Sequence, residues 1–263
     1  MRVYVGCSGF YYKDWVGVFY PPSIKREDFI RYYAQFFEVL EINSSFYNFP
    51  DRSNIKRFLE KTKTLRFAFK VHRLFTHTRS YTQEDVKKFL YSIEPVVREE
   101  RLIALLFQFP STFGYSQENL NYLKKLSEDF SGYDRVIEVR SKSFRKREFY
   151  SFLEGIGFSV VNTDAPKGDK FLSGPWLGVG SMNYVRVHGK DPQNPYNYLY
   201  SLEELKALKR KILRLGDRDT YIFFNNTPGA KAVLNALQLK LLFGIKAEIP
   251  KSLEKAFKEK EWE

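Results

Sequence analysis

Residues 184–188 read Tyr184-Val185-Arg186-Val187-His188. The run is short and rich in β-branched and aromatic residues, as a strand should be. It ends on two polar residues at i and i+2, which share one face of a strand. Seven other runs have a similar length and mostly apolar character: 3–7, 39–43, 67–71, 103–107, 136–139, 159–163 and 221–224. Near-continuous apolar strands are expected where a sheet is covered on both faces. Helical stripes fall between them. Val86, Phe89, Leu90 and Ile93 follow Thr82, and Leu202, Leu205, Leu208 and Ile212 follow a capping box of Ser201 with Glu204. A shorter pattern follows Ser53, and the last helix is expected to open at Thr227-Pro228 with Thr227 as its N-cap.

Eight strands alternating with helices predict an α/β chain, a TIM-like (β/α)8 barrel of eight parallel strands. One connection departs from the pattern. Residues 165–182 contain Gly168, Gly174, Pro175, Gly178 and Gly180 and no apolar stripe, so an irregular loop is expected in place of the sixth helix. The 263 residues suit one barrel domain over residues 1–250, followed by a charged C-terminal tail over 251–263.

Composition bounds the function. The single cysteine, Cys7, excludes a disulfide within the chain and lies in an apolar run, where an inert thiol is expected. The chain opens on a strand rather than a secretory leader, and no apolar stretch approaches a membrane span, so a cytoplasmic protein without a membrane partner is expected. Only three histidines are present, and HExxH, paired CxxC, GxSxG and P-loop motifs are absent. No cofactor is expected. The one metal reading is a single divalent ion held by oxygens from among Glu41, Glu138 and Asp164. The formal net charge of +12 raises nucleic acid as a partner beside a small anionic molecule. The oligomeric state stays open.

The carboxyl end of each run carries the chemistry. Polar pairs at i and i+2 are Glu41 with Asn43, Lys70 with His72, Glu138 with Arg140, Asn162 with Asp164, and Arg186 with His188; Gln108 and Asn225 stand singly. All are assigned to the barrel axis, because burying unpaired polar groups costs several kcal/mol and barrel enzymes place their sites at this mouth. Glu41, Glu138, Lys70, His188 and Asp164 are the catalytic candidates. Asn43, Tyr47, His77, Gln108, Arg140, Arg186, Asn225, Asn226 and Trp15 are the substrate-binding candidates. The competing reading is a closed ion-pair network that plugs the barrel top. Aromatic residues in the loop 8–22 (Phe10, Tyr11, Tyr12, Trp15, Phe19, Tyr20) and after the second run (Phe46, Tyr47, Phe49) form either a stacking rim or a lid packed over the mouth. Asn226-Thr227-Pro228-Gly229 reads as either an anion-binding helix start or a plain cap.

Taken together, several stretches resemble one family. They are Gly6-Cys7-Ser8-Gly9-Phe10, Glu41-Ile42-Asn43-Ser44-Ser45-Phe46-Tyr47, Thr76-His77, Leu106-Phe107-Gln108-Phe109-Pro110, Ile137-Glu138-Val139-Arg140, Asn162-Thr163-Asp164, Arg186-Val187-His188-Gly189, and Asn225-Asn226 with Asn235-Ala236. The chain resembles the YecE-like family, the domain of unknown function numbered seventy-two, over roughly residues 1–244. The resemblance implies a TIM-related barrel and no assigned activity. It ranks His77 above His72. Ser141 and Phe144 stand where the family often has His and Trp, so no role of those residues carries over.

Function is therefore read as an acid/base enzyme of hydrolase, lyase or isomerase type, with hydrolysis favoured, acting on an anionic, phosphorylated or sugar-like substrate. Glu41 and Glu138 would be its acid/base pair. The alternatives are nucleic-acid binding or processing and a ligand sensor without catalysis.

Overall fold

The computed structural model describes residues 1–166 and 172–258. Eight parallel strands close into one barrel in sequence order: β1 Val3–Ser8, β2 Val39–Ile42, β3 Arg66–Lys70, β4 Leu102–Gln108, β5 Arg135–Glu138, β6 Phe158–Asp164, β7 Asn183–Val187 and β8 Thr220–Phe224. Helices α1 Phe29–Tyr33, α2 Arg52–Lys61, α3 Gln83–Arg98, α4 Gln117–Asp129, α5 Arg147–Gly155, α6 Leu202–Leu213 and α7 Lys231–Leu242 surround it. Two capping boxes, Thr82 with Asp85 and Ser201 with Glu204, start α3 and α6 by satisfying orphan N–H groups.

Two helix starts differ from the sequence reading. Asp51 rather than Ser53 caps α2, its carboxylate accepting from the N–H groups of Ser53 and Asn54. Thr227 makes no side-chain cap; Gly229 and Ala230 turn left-handed and α7 begins at Lys231. The backbone N–H of Gly229 donates to the Asp14 carboxylate at 2.7 Å. The chain's own anion thus takes that N–H, where the sequence left an anion site open.

Between β6 and β7 the described part of residues 165–182 contains no helix, as expected; Gly168 lies outside the described residues. The loop backbone covers β6 directly. Thr163 and Gly174 exchange backbone hydrogen bonds at 2.9 Å. At the chain end, Leu253 is buried against the core and Phe257 packs on it, within the short helix α8 Glu254–Lys258 and the turn before it; residues 259–263 lie outside the described residues.

Strand pairing fixes which side chains face the axis. Ser8 pairs with Glu41, Glu41 with Ala68, Lys70 with Leu106, Gln108 with Glu138, and Thr163 with Arg186. Paired residues on parallel strands share a face. The amino-terminal half of the interior is a packed layer of Tyr4, Val39, Ala68, Ala104, Leu106, Val136, Val161, Tyr184, Tyr221 and Phe223. Polar side chains begin above it, at the carboxyl ends. Among the described residues no helix is long and apolar enough to cross a membrane.

Candidate functional site

Arg186 from β7 lies across the barrel axis. Its Nε and Nη2 donate to Glu41 Oε2 and Oε1 at 3.0 and 2.8 Å, and its Nη1 donates to Glu138 Oε2 at 2.6 Å. Ser8 and Tyr184 hydroxyls donate to the same Glu41 carboxylate, each at 2.7 Å. Arg140 Nε donates to Glu138 Oε1 at 3.1 Å. All four of Glu41, Glu138, Arg186 and Tyr184 are buried. Burial alone would raise the Glu138 carboxyl, but Arg186 and Arg140 beside it outweigh that and hold it well below the usual carboxylate range. Burial would lower the Arg186 guanidinium, and the two carboxylates instead raise it. This is the closed network weighed from sequence, and it occupies the floor of the site.

Above that floor lies a cavity of about 420 Å³, lined by Tyr12, Asn43, Tyr47, Lys70, Arg140, Arg186, Tyr196, Asn225 and Thr227. Among the described lining residues three side chains are cationic and none is acidic. Lys70 Nζ donates to Gln108 Oε1 at 2.8 Å and sits 4.0 Å from the centre of the Phe46 ring. Among the described residues it makes no ion pair. Burial, followed by the nearby Arg186 charge, lowers its ammonium from 10.5 to about 7. Asn43 Oδ1 is buried without a hydrogen-bond partner among the described residues. His188 is buried, its Nδ1 3.1 Å from Asn225 Nδ2; burial and then Arg186 push it down to about 3, so it is neutral at pH 7. His77 stacks edge-on against Phe46 and is lowered to about 4 by burial and by Lys70. His72 bonds the Tyr47 carbonyl outside the cavity.

The structure thus gathers Glu41, Asn43, Tyr47, Lys70, Gln108, Glu138, Arg140, Arg186, His188 and Asn225 at the mouth. Asp164 and Asn162 are corrections. Asn162 pairs with Val185 and Asp164 with Val187, residues of the helix-facing core, so both point away from the axis. Asp164 accepts from the Tyr200 hydroxyl and from Lys211 of α6, each at 3.0 Å. Asn162 bonds both backbone groups of Leu177, at 3.0 and 2.9 Å. Polar residues stand on this outer face because they meet polar partners there, loop backbone at Asn162 and the Tyr200 and Lys211 side chains at Asp164. The oxygen-ligand set of Glu41, Glu138 and Asp164 therefore does not converge, and among the described residues no group of three His, Cys, Asp or Glu is placed to hold a metal.

Trp15 is a second correction. It is fully buried, donates to the Thr227 carbonyl at 2.7 Å and packs against Tyr12, Phe19 and Tyr20. Most of the aromatic loop is therefore packed-down lid, and the ring left most exposed at the cavity is Tyr47, at 68%. Asn226 is buried and donates to Asn235 Oδ1 and the Tyr198 carbonyl, holding the loop instead of lining the cavity. Cys7 is buried and its thiol is pushed up by burial, consistent with an inert core residue. Sequence reasoning missed Ser8 and Tyr184, which support Glu41, and Tyr196 of the cavity wall, whereas Tyr12 of the aromatic loop does reach that wall. Tyr184 stands two residues before Arg186, and that spacing was its signal.

Fold and site define a TIM-type barrel with a polar, cation-lined cavity at the carboxyl mouth. The chain belongs to the family described as "Protein of unknown function DUF72", whose profile matches residues 4–260; YecE-like is another term for it. The chain is similar to the UPF0759 protein YunF of Bacillus subtilis (strain 168), 27% identical over 92% of this chain and 95% of that one. It is also similar to the crystal structure of a DUF72 family protein from Thermotoga maritima, at 35% identity and a TM-score of 0.85, covering 93% of this chain and all of that one. A DUF72 family protein from Enterococcus faecalis, 22% identical, matches with a TM-score of 0.82 over 94% of this chain and 97% of its own, a likeness of fold.

Proposed function

We propose that the barrel mouth is an enzyme site for a small anionic molecule, with the Lys70 amine as its reactive group. The observation that carries this is the cavity lining: Lys70, Arg140 and Arg186, with no carboxylate among the described lining residues. Both neighbouring carboxylates are engaged below, Glu41 by Arg186 and Glu138 by Arg186 and Arg140. That engagement speaks against Glu41 and Glu138 as the acid/base pair and against hydrolysis of the two-carboxylate kind. Lys70, held near 7, changes protonation where a general acid or base works best. Asn43, with a buried acceptor lacking a partner, adds a group that a ligand N–H or O–H satisfies. The lone, buried cysteine supports a reducing, cytoplasmic setting.

The test is calorimetric titration with inorganic phosphate, pyruvate and glyoxylate. Binding to the native protein, lost in Arg140→Met at unchanged melting temperature, is the expected result. A native protein that binds none of these anions overturns the reading. A single-stranded oligonucleotide, titrated at low and high salt, is the control for the polyanion alternative; tight, salt-sensitive binding to it would replace the small-molecule reading.

A further inference from the structure

We infer that Lys70 is a Schiff-base-forming lysine and that its substrate is a small oxo acid, a carbonyl compound carrying a carboxylate. This rests on the anion-site reading above and names the substrate class for that site.

The geometry supports it in three ways. Lys70 ends β3, a strand anchored on both edges, so its amine is delivered to the cavity from rigid backbone. Its polar contact is the Gln108 amide oxygen, a neutral acceptor, and the Phe46 ring covers its other side. The two carboxylates that would normally hold an ammonium are bound to guanidinium groups instead. An amine that is desolvated, denied a carboxylate and set beside cations is destabilised as an ammonium, which is how lysine nucleophiles are activated. The lowering of Lys70 to about 7 follows from the same arrangement. Roughly half of the population then carries a neutral, nucleophilic amine at neutral pH.

The substrate class follows from the neighbours. Arg140, whose Nε donates to Glu138, brings a guanidinium charge to the cavity wall that attracts a carboxylate, and Asn43 and Asn225 line the same wall. A carbonyl beside that carboxylate falls to the lysine. In the reaction the Nζ lone pair forms the C–N bond while the carbonyl π electrons move to oxygen. The two Nζ protons leave with that oxygen as one water, and a C=N bond remains. A solvent proton then converts the imine to an iminium, the electron sink that eases bond cleavage or proton loss at the neighbouring carbon. No oxidant or reductant is required.

The experiment is reductive trapping. The native protein is treated at pH 7 with pyruvate or glyoxylate and sodium cyanoborohydride, digested, and mapped by mass spectrometry. The expected result is substrate attached at Lys70 in roughly tenfold or greater excess over exposed lysines such as Lys124, because a desolvated amine set beside cations is the activated nucleophile. Lys70→Met and Lys70→Arg should both abolish that label; Lys70→Arg retains the positive charge and guards against a folding artefact. Label spread evenly over surface lysines, or unchanged in the variants, overturns the inference. Absence of label at Lys70 in a protein that still binds phosphate overturns the Schiff base and leaves the anion site standing. Absence of both overturns both.

Discussion

Arg186 and Glu41 form a two-pronged pair across the barrel axis, Nε to Oε2 at 3.0 Å and Nη2 to Oε1 at 2.8 Å, with both side chains buried. The strands that carry them, β7 and β2, are not neighbours, so the pair ties opposite walls of the barrel. Desolvation offsets much of the attraction in such a pair, yet removal of one partner leaves an uncompensated buried charge. Here loss of Arg186 leaves Glu41 without a cation among the described residues, while Glu138 keeps Arg140.

Arg186→Met should therefore destabilise the fold by ~3–5 kcal/mol, read from urea or thermal unfolding. Arg140→Met, nearer the solvent and bonded to Glu138 alone of the two acids, should unfold close to the native midpoint. Equal stability of Arg186→Met and the native protein would mean that the network is not structurally coupled.

Lys70 makes stability depend on pH with a definite sign. Its ammonium is lowered in the fold from 10.5 to about 7, so between those values the unfolded chain binds more protons than the folded one. Stability from this group rises with pH through that window. Below about 7 both states are protonated and its burial is a constant cost. Urea unfolding at several pH values across the window should show a shallower rise in Lys70→Met than in the native protein. Parallel curves for the two proteins would show that Lys70 titrates normally.

Asn162 should hold the loop that stands in for a helix. Its amide bonds both the carbonyl and the N–H of Leu177. Asn162→Ala leaves those backbone groups unpaired and should cost roughly 1–3 kcal/mol. Limited proteolysis should then cut faster within residues 172–182. Resistance equal to the native protein would assign the loop's order to the Thr163–Gly174 pairing alone.

Gly6 is required by a close approach of strands. A Cβ there would lie 2.1 Å from the Val39 carbonyl oxygen and 3.0 Å from the Tyr33 hydroxyl. Gly6→Ala must push β1 from β2 and should cost roughly 4 kcal/mol or more. A soluble variant with a native melting temperature would show that the two strands can separate without loss.

Much of this was legible in the chain. Eight short apolar runs separated by helical stripes allow few architectures, because strands buried on both faces need helices around them. The alternation of Val185, Arg186, Val187 and His188 placed the arginine on the axis, and Glu41, Lys70, Gln108 and Glu138 followed the same rule. The rule failed at Asn162 and Asp164. A polar residue on a strand means the axis only when the other face meets an apolar helix, and on β6 that face meets loop backbone and Lys211 instead.

Local sequence thus determined the strands, most helix caps and the cast of polar side chains, since these depend on period and on neighbours within a turn. Only the closed barrel decided how the charges pair. Arg186 is 145 residues from Glu41 and 48 from Glu138; no spacing rule reaches across such distances. The same closure sent Trp15 into the lid, gave Asp14 to Gly229, and left Lys70 among guanidinium groups with no carboxylate of its own, because burial and partnership are properties of the packed molecule and not of the residue.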